Sequence, residues 1–155
     1  MSPRANLQPN YSVIAEFRYQ IRRFLRFSEE TARSGGLEPQ QYQLMLAVKG
    51  VPAEVRPRIG EVAQRLQIQH HSTVELVDRL ARRGLIRRRR SESDRREVLL
   101  ELTPRGDKLL QELALRHWAE LGETAPDLVA ALKRVVRGTR PKNGARPGRS
   151  KASRS

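Results

Sequence analysis

The stretch from residue 59 to residue 102 constrains the fold more than any other. Its apolar residues have a helical period up to residue 83 and a strand-like period after Gly84. Two short segments, 59–66 and about 71–83, carry apolar side chains three or four positions apart, and only three or four residues separate them. Gly84 follows directly, and glycine is the residue that most often ends a helix in the left-handed conformation. We therefore predict two helices joined by a tight turn.

The residues after Gly84 have the pattern of a β-hairpin. Leu85–Arg90 and Glu97–Leu102 have the length of short strands, and apolar side chains alternate along the second. A polar loop of six residues joins them. The Thr-Pro pair after the second strand offers an N-cap hydroxyl and a proline at the first helical position, which predicts that another helix begins there.

The remaining helical segments are predicted from the same period. Glycines or prolines flank most of them, as expected for helix ends. The segments are 11–33, 39–50, about 103–121 and about 126–137. The predicted fold is mainly α with a small β-hairpin, in one domain of residues 11–137 between a flexible N-terminus (1–10) and a disordered basic tail (138–155).

The charge of the chain predicts a polyanionic partner. Lys and Arg number 31 against 17 Asp and Glu, a formal net charge of +14. Residues 79–96 hold nine Arg and two acids, and residues 138–155 hold six basic residues and no acid. The chain has no Cys and no long apolar run, which argues against disulfides, thiol sensing, a signal peptide and membrane association. We expect a cytoplasmic protein.

A short helix, a tight turn, a second helix and a basic hairpin are typical of a winged helix–turn–helix, whose second helix enters the major groove of duplex DNA. Its outward side chains would contact bases or phosphates. We predict this set to be His70, His71, Ser72, Thr73, Glu75, Leu76, Arg79 and Arg83. The two adjacent histidines could also cap the helix; a zinc site is disfavoured, since neighbouring positions do not chelate and the third histidine is distant.

Three short motifs in this order resemble the DNA-binding core of the MarR (multiple antibiotic resistance regulator) family. They are RRGLI (82–86), SESDRR (91–96) and LTPRG (102–106), within a similar stretch from Ile59 to Leu110. The resemblance implies a winged helix–turn–helix at 38–102, with its wing at 85–102. It also implies a homodimer formed by helices at 11–35 and 103–137. It further implies a regulator, most often a repressor, that leaves its DNA when a small, often aromatic, molecule binds between the dimer region and the winged domain.

The resemblance also assigns roles in the wing. It implies that Asp94 pairs with Arg96 and presents it to the minor groove, with Arg95 on a phosphate; Arg88 completes the predicted wing contacts. Two features depart from the family pattern. Glu75 stands where many members have a basic or hydroxyl residue, and the loop Gly50–Arg58 is longer than expected.

The predicted dimer contacts are apolar positions of the first and last helices. They are Ile14, Phe17, Ile21, Leu113, Trp118, Leu121, Leu132 and Val136. Trp118 could instead line an effector pocket, although a dimer-core role is favoured because a buried Trp contributes a large apolar area. Tyr42 and Met45 are candidates for the pocket wall or for ordinary packing.

No arrangement of carboxylates, bases and nucleophiles is typical of an enzyme, so we predict no catalytic residues, no metal and no cofactor. Two functions stay open. The first is a sequence-specific transcriptional regulator. The second is a basic architectural or RNA-associated protein without a ligand response. The mixture of Ser, Thr, Glu and Leu with Arg on the second helix favours the first, because a purely electrostatic binder gains nothing from an acid there.

Overall fold

The computed structural model describes residues 9–139. Within them the chain forms five helices and one antiparallel two-stranded sheet, so the predicted fold class is confirmed. The elements are α1 (Tyr11–Ser34), α2 (Pro39–Lys49), α3 (Ile59–Leu66), α4 (His70–Arg82), β1 (Ile86–Arg90), β2 (Val98–Leu102) and α5 (Pro104–Thr139). Nearly all of the predicted flexible N-terminus and basic tail lies outside the described residues, although Gly138 and Thr139 belong to α5.

The C-terminal region forms one helix, so the prediction of two is wrong. α5 continues through Pro126, whose ring nitrogen cannot make the usual helical hydrogen bond. His117 and Ala131 lie on either side of this proline and are both buried. Their separation is close to four helical turns, so one buried stripe of α5 stays in phase along α1. This packing compensates for the lost bond, and the Arg23–Asp127 ion pair, at 3.6 Å, also joins α1 to α5 beside the proline.

The hydrophobic core lies between α2, α3, α4, the hairpin and the first half of α5. Each of these elements contributes at least one fully buried side chain. The largest apolar ones are Leu37, Tyr42, Leu44, Met45, Val62, Val77, Leu80, Leu85, Ile86, Leu100 and Leu113. Because α4 and both strands share this core, they form one unit, called the winged domain below.

Thr103 ties the end of α4 to the start of α5. Its Oγ1 donates to the Gly84 carbonyl at 2.6 Å and accepts from the Gly106 N–H at 3.0 Å. Gly84 has φ 69°, the left-handed conformation predicted for it. Gly106 lies directly on the backbone of Leu85, so that a Cβ atom at position 106 would stand 1.9 Å from the Leu85 carbonyl oxygen. Only glycine fits at this position without a backbone shift.

We expect Gly106→Ala to lower the free energy of unfolding by about 1–3 kcal/mol or more, because the first turn of α5 must move away from Leu85. Gly122→Ala is the matched control in the same helix, since nothing lies within 4 Å of its added Cβ. That change should be neutral or stabilising by up to about 1 kcal/mol. Urea unfolding of both variants checks the prediction, and equal stabilities would contradict it.

Candidate nucleic-acid interface

α4 is fixed to the winged domain along one face. Its buried residues are Thr73, Leu76, Val77 and Leu80. The turn before it is tight because Gln67, at φ 55°, takes the left-handed conformation that ends α3. The Ile68 N–H then donates to the Ala63 carbonyl at 3.1 Å. α3 and α4 therefore form the closely spaced pair of a helix–turn–helix.

Most of the predicted recognition residues face solvent. The exposed ones are His70, His71, Glu75, Arg79 and Arg83, and Ser72 is half-buried. Thr73 and Leu76 are buried, so the prediction that they face outward is wrong. The Thr73 hydroxyl donates to the Gln69 carbonyl at 3.1 Å within its own helix. The inner face is thus rotated by about one residue from the predicted one, and the outward face of α4 is more strongly polar.

The arginines of β1 make specific contacts. Arg87 and Arg89 bond the two carboxylate oxygens of Glu101 at 2.5 and 3.1 Å. The hydrogen bond from Arg87, supported by that from Arg89, lowers the pKa of Glu101 below its ordinary value. Arg88, which is predicted to contact DNA, donates to Asp78 of α4 at 2.7 Å. The arginines of β1 therefore join the two strands of the hairpin and bind the hairpin to α4.

The wing tip is the loop Ser91–Glu97 between the two strands. Arg95 and Arg96 are exposed there, as a contact with DNA requires. The Asp94 carboxylate accepts from the backbone N–H of Arg96 at 2.9 Å. Within the described residues, the implied side-chain pair of Asp94 and Arg96 is replaced by this contact with the backbone.

A contact between the loop before α3 and the wing tip was missing from the sequence prediction. Arg56 donates to Ser91 Oγ at 3.1 Å and to Ser93 Oγ at 2.9 Å, and it pairs with Glu97. The Pro57 carbonyl accepts from the Leu100 N–H at 2.8 Å. The only signal for this contact in the sequence was the length of the loop Gly50–Arg58.

His117 is a second residue that the sequence reasoning missed. It is 7% exposed and lies where α1, α2 and α5 meet, stacked on Phe24 with the ring centroids 5.1 Å apart. Its Nδ1 shares a hydrogen bond of 3.0 Å with the Tyr42 hydroxyl, whereas its buried Nε2 has no partner. Burial lowers the pKa of His117 and raises that of Tyr42. Its helical spacing from Leu110 and Leu113 was the available signal.

The structure also locates the predicted pocket and dimer residues. Tyr42 and Met45 are fully buried, so neither is open to a ligand in this conformation. Trp118, at 76% exposed, is accessible, as are Ile14, Leu132 and Val136, while Phe17, Ile21 and Leu121 are partly exposed. Leu113 is 2% exposed within the core of its own chain, so its assignment to a dimer contact is wrong.

The described part of the chain contains neither a metal-binding cluster nor a membrane-spanning helix. Residues 9–139 contain no group of three or more His, Asp or Glu side chains placed to hold a metal ion. None of the helices there is long and apolar enough to cross a membrane.

A helix–turn–helix beside a basic hairpin defines a winged helix–turn–helix protein, and comparisons with known proteins narrow this class. The sequence profile of the MarR family matches residues 35–97. A transcriptional regulatory protein for the hcr operon of Thauera aromatica is 30% identical over 128 residues, which cover 77% of this chain and 75% of that protein. The HTH-type transcriptional regulator YsmB of Bacillus subtilis is 33% identical over 59 residues, and the match spans only 40% of its length.

Solved structures share this fold. AbsC, a MarR family regulator from Streptomyces coelicolor, matches with a TM-score of 0.65 at 19% identity over 86% of this chain and 94% of that one. The transcriptional repressor CouR, solved with a 23-mer DNA duplex, matches with a TM-score of 0.57 at 28% identity over 77% and 87% of the two chains. The chain belongs to the MarR family of transcriptional regulators, which also confirms that it is a regulator and not an enzyme.

We expect the stability of the fold to fall as the pH is lowered, because desolvation lowers the pKa of His117 on folding while Glu120 opposes the shift. The unfolded chain then binds the proton more tightly, so this stability is present above the ordinary histidine pKa of about 6.5 and is lost as the pH falls through the folded-state value. Urea unfolding between pH 5 and 8 should show a shallower dependence for His117→Gln.

His71→Gln is the matched control for this pH dependence, because His71 is exposed. It should keep the wild-type slope. Identical slopes in the wild type and His117→Gln would contradict the prediction.

Proposed function

We propose that this protein is a cytoplasmic homodimer that binds a pseudo-palindromic operator in double-stranded DNA and represses transcription until a small aromatic molecule releases it. The observation that carries the proposal is the fixed relation between α4 and the wing. The Arg88–Asp78 ion pair at 2.7 Å joins β1 to α4 outside their shared core. A binder that reads only charge needs no such fixed arrangement, whereas simultaneous contacts in two grooves do.

The outward face of α4 has the chemistry for reading bases. Arg79 and Arg83 can each donate two hydrogen bonds to a guanine edge or to phosphates, and Glu75 can accept from cytosine N4. Arg83 is the residue that follows α4, and its guanidinium donates to the Gln41 side chain of α2 at 3.3 Å in the free protein. Glu75 repels phosphate, so its exposure favours sequence reading over the architectural or RNA-associated alternative.

The wing supplies the second contact in this proposal. Arg95 and Arg96 are exposed at its tip. An arginine there suits the narrow minor groove of A·T-rich DNA, where the negative potential is strongest. The DNA-bound state of the similar repressor CouR supports both a duplex partner and the sign of regulation.

We expect Arg96→Ala to weaken binding to an A·T-flanked operator by about 1–3 kcal/mol, because a minor-groove contact is lost. Fluorescence anisotropy with A·T-flanked and G·C-flanked duplexes measures the effect, which should be smaller on the second. Arg26→Ala removes the same charge from the exposed face of α1 and should leave the ratio of the two affinities unchanged. Equal ratios in wild type and Arg96→Ala would contradict the wing contact.

Exposed apolar side chains on α1 and α5 support a dimer. Outside these two helices, only two large apolar side chains of the described chain are similarly exposed, Leu46 and Val98. Those on α1 and α5 are Tyr11, Ile14, Tyr19, Leu25, Leu115, Trp118, Val129, Leu132 and Val136. This exposed apolar surface is larger than a soluble monomer normally has, and a second copy of the chain would bury it.

We expect Leu132→Asp to shift the protein from dimer to monomer, because it places a charge within the apolar surface proposed to be covered. Leu46→Asp is the matched control, since Leu46 of α2 is 42% exposed and Leu132 is 46% exposed. Analytical ultracentrifugation should show a dimer for the wild type and for Leu46→Asp. A monomeric wild type would refute the dimer.

The junction of α1, α2 and α5 is the proposed place for effector action. Tyr42 and Met45 are closed off there, so an effector must separate the helices to reach them. The unpartnered Nε2 of His117 beside three aromatic rings offers an aromatic ligand both stacking and a polar contact.

The function is tested by selecting bound fragments from the source genome and footprinting the best one. We expect protection of an inverted repeat whose half-sites lie about one helical turn apart. Aromatic compounds are then screened for release from that fragment. Uniform protection without sequence preference, or tighter binding to RNA, would favour the architectural alternative.

A further inference from the structure

The segment 56–58 lies beside β2 of the hairpin. The hydrogen bond from Leu100 to the Pro57 carbonyl holds it against β2, at 2.8 Å. On one side of this bond the Arg56 side chain reaches the wing tip. On the other side Arg58 contributes a second, longer ion pair with Glu97, at 3.5 Å. The loop before α3 is thus attached to the hairpin by both backbone and side chains.

Arg56 connects three side chains of the wing tip, and we call Arg56, Ser91, Ser93 and Glu97 the Arg56 network. Its guanidinium donates to both serine hydroxyls, which also bond each other at 3.0 Å, and pairs with the carboxylate. The Glu97 side chain is only 12% exposed and Ser91 is 5% exposed. Polar groups with so little access to water need these partners, so removing Arg56 would leave them incompletely satisfied.

The network encloses the two exposed arginines of the wing tip. Arg95 and Arg96 lie in sequence between Ser93 and Glu97, the two ends that Arg56 holds. Between these ends the loop is closed by the hydrogen bond from the Glu97 N–H to the Asp94 carbonyl at 3.0 Å. Arg90 donates to the Arg95 carbonyl at 3.0 Å, so the backbone of the tip is also restrained from β1.

We propose that Arg56 is a positioning residue for DNA recognition: through Ser91, Ser93 and Glu97 it fixes the wing tip so that Arg96 is presented to the minor groove and Arg95 to the adjacent phosphate. The proposal rests on the wing contact of the proposed function. Arg56 acts through the tip and not through its own charge. A loop ordered before binding loses less conformational entropy when the complex forms, so the network increases wing-dependent affinity.

The test uses two variants that break the network with opposite changes of charge, Arg56→Gln and Glu97→Gln. Electrostatics alone predicts that the first weakens and the second strengthens binding to every duplex. Positioning predicts that both lower the ratio of affinities for A·T-flanked over G·C-flanked operators. We expect a loss of roughly three- to tenfold in that ratio, as for the loss of one charge-assisted hydrogen bond. The double variant should lose no more than either single one.

The exposed Arg65–Glu61 pair of α3, at 2.8 Å, provides matched controls. Arg65→Gln and Glu61→Gln make the same charge changes without touching the wing, so they should shift overall affinity. They should leave unchanged the ratio of affinities for A·T-flanked over G·C-flanked operators, called the flank ratio below. Ser93→Ala is a milder variant at an exposed position and should show a smaller loss of the ratio. It keeps the test decisive if Arg56→Gln fails to fold, which circular dichroism would reveal.

The outcomes separate this proposal from the wing contact on which it rests. If Arg96→Ala lowers the flank ratio while Arg56→Gln, Glu97→Gln and Ser93→Ala leave it at the wild-type value, positioning by Arg56 is overturned and the wing contact stands. If Arg96→Ala also leaves the ratio unchanged, the wing contact itself is refuted. A lower ratio in all four variants supports both.

Discussion

The close approach of α5 to the backbone of Leu85 is the constraint on which the arrangement of the domain depends. Because Gly106 has no Cβ, the first turn of α5 rests on the chain that leaves α4, and Thr103 bonds both sides of this contact. The end of α4, the base of the hairpin and the start of α5 are thereby fixed at one point. Together with the burial of Leu110 and Leu113 in the core, this contact sets the direction of α5 relative to α4.

The net charge of the chain is a poor guide to which cations are available for DNA. Within residues 79–96 the sequence offers a long run of arginines, but Arg87, Arg88 and Arg89 each bond a carboxylate of the winged domain. The carboxylates of Asp78 and Glu101 therefore help to order the hairpin. Arg79 of α4 and Arg96 of the wing tip are exposed. What each can contact on DNA depends on its position in the fold, not on the number of arginines in the segment.

Sequence patterns predicted the helix–turn–helix, the hairpin and the left-handed Gly84 because each rests on local spacing and backbone preference. They failed where a distant part of the chain decides the outcome. Packing on α1 carries α5 through Pro126, which local propensity would treat as a helix end. Leu76 was assigned to the wrong face of α4. Polar residues flank the apolar stripe of this helix on both sides, so the sequence does not determine to within one residue which positions face inward. The contacts of Arg56 span more than thirty residues, a distance at which no periodicity operates.

α5 also offers a mechanical link between the proposed effector junction and the winged domain. Gly106, Leu113 and His117 lie along about three turns of one unbroken helix. Leu113 packs so closely on the end of α1 that a Cβ at Gly35 would be 2.8 Å from its methyl carbons. Helices of this length move as rigid bodies, and tightly packed contacts shift between discrete arrangements more readily than they deform. If a ligand separates Tyr42 from His117 as proposed, α5 connects that junction to the contact at Leu85 and so to the base of the wing.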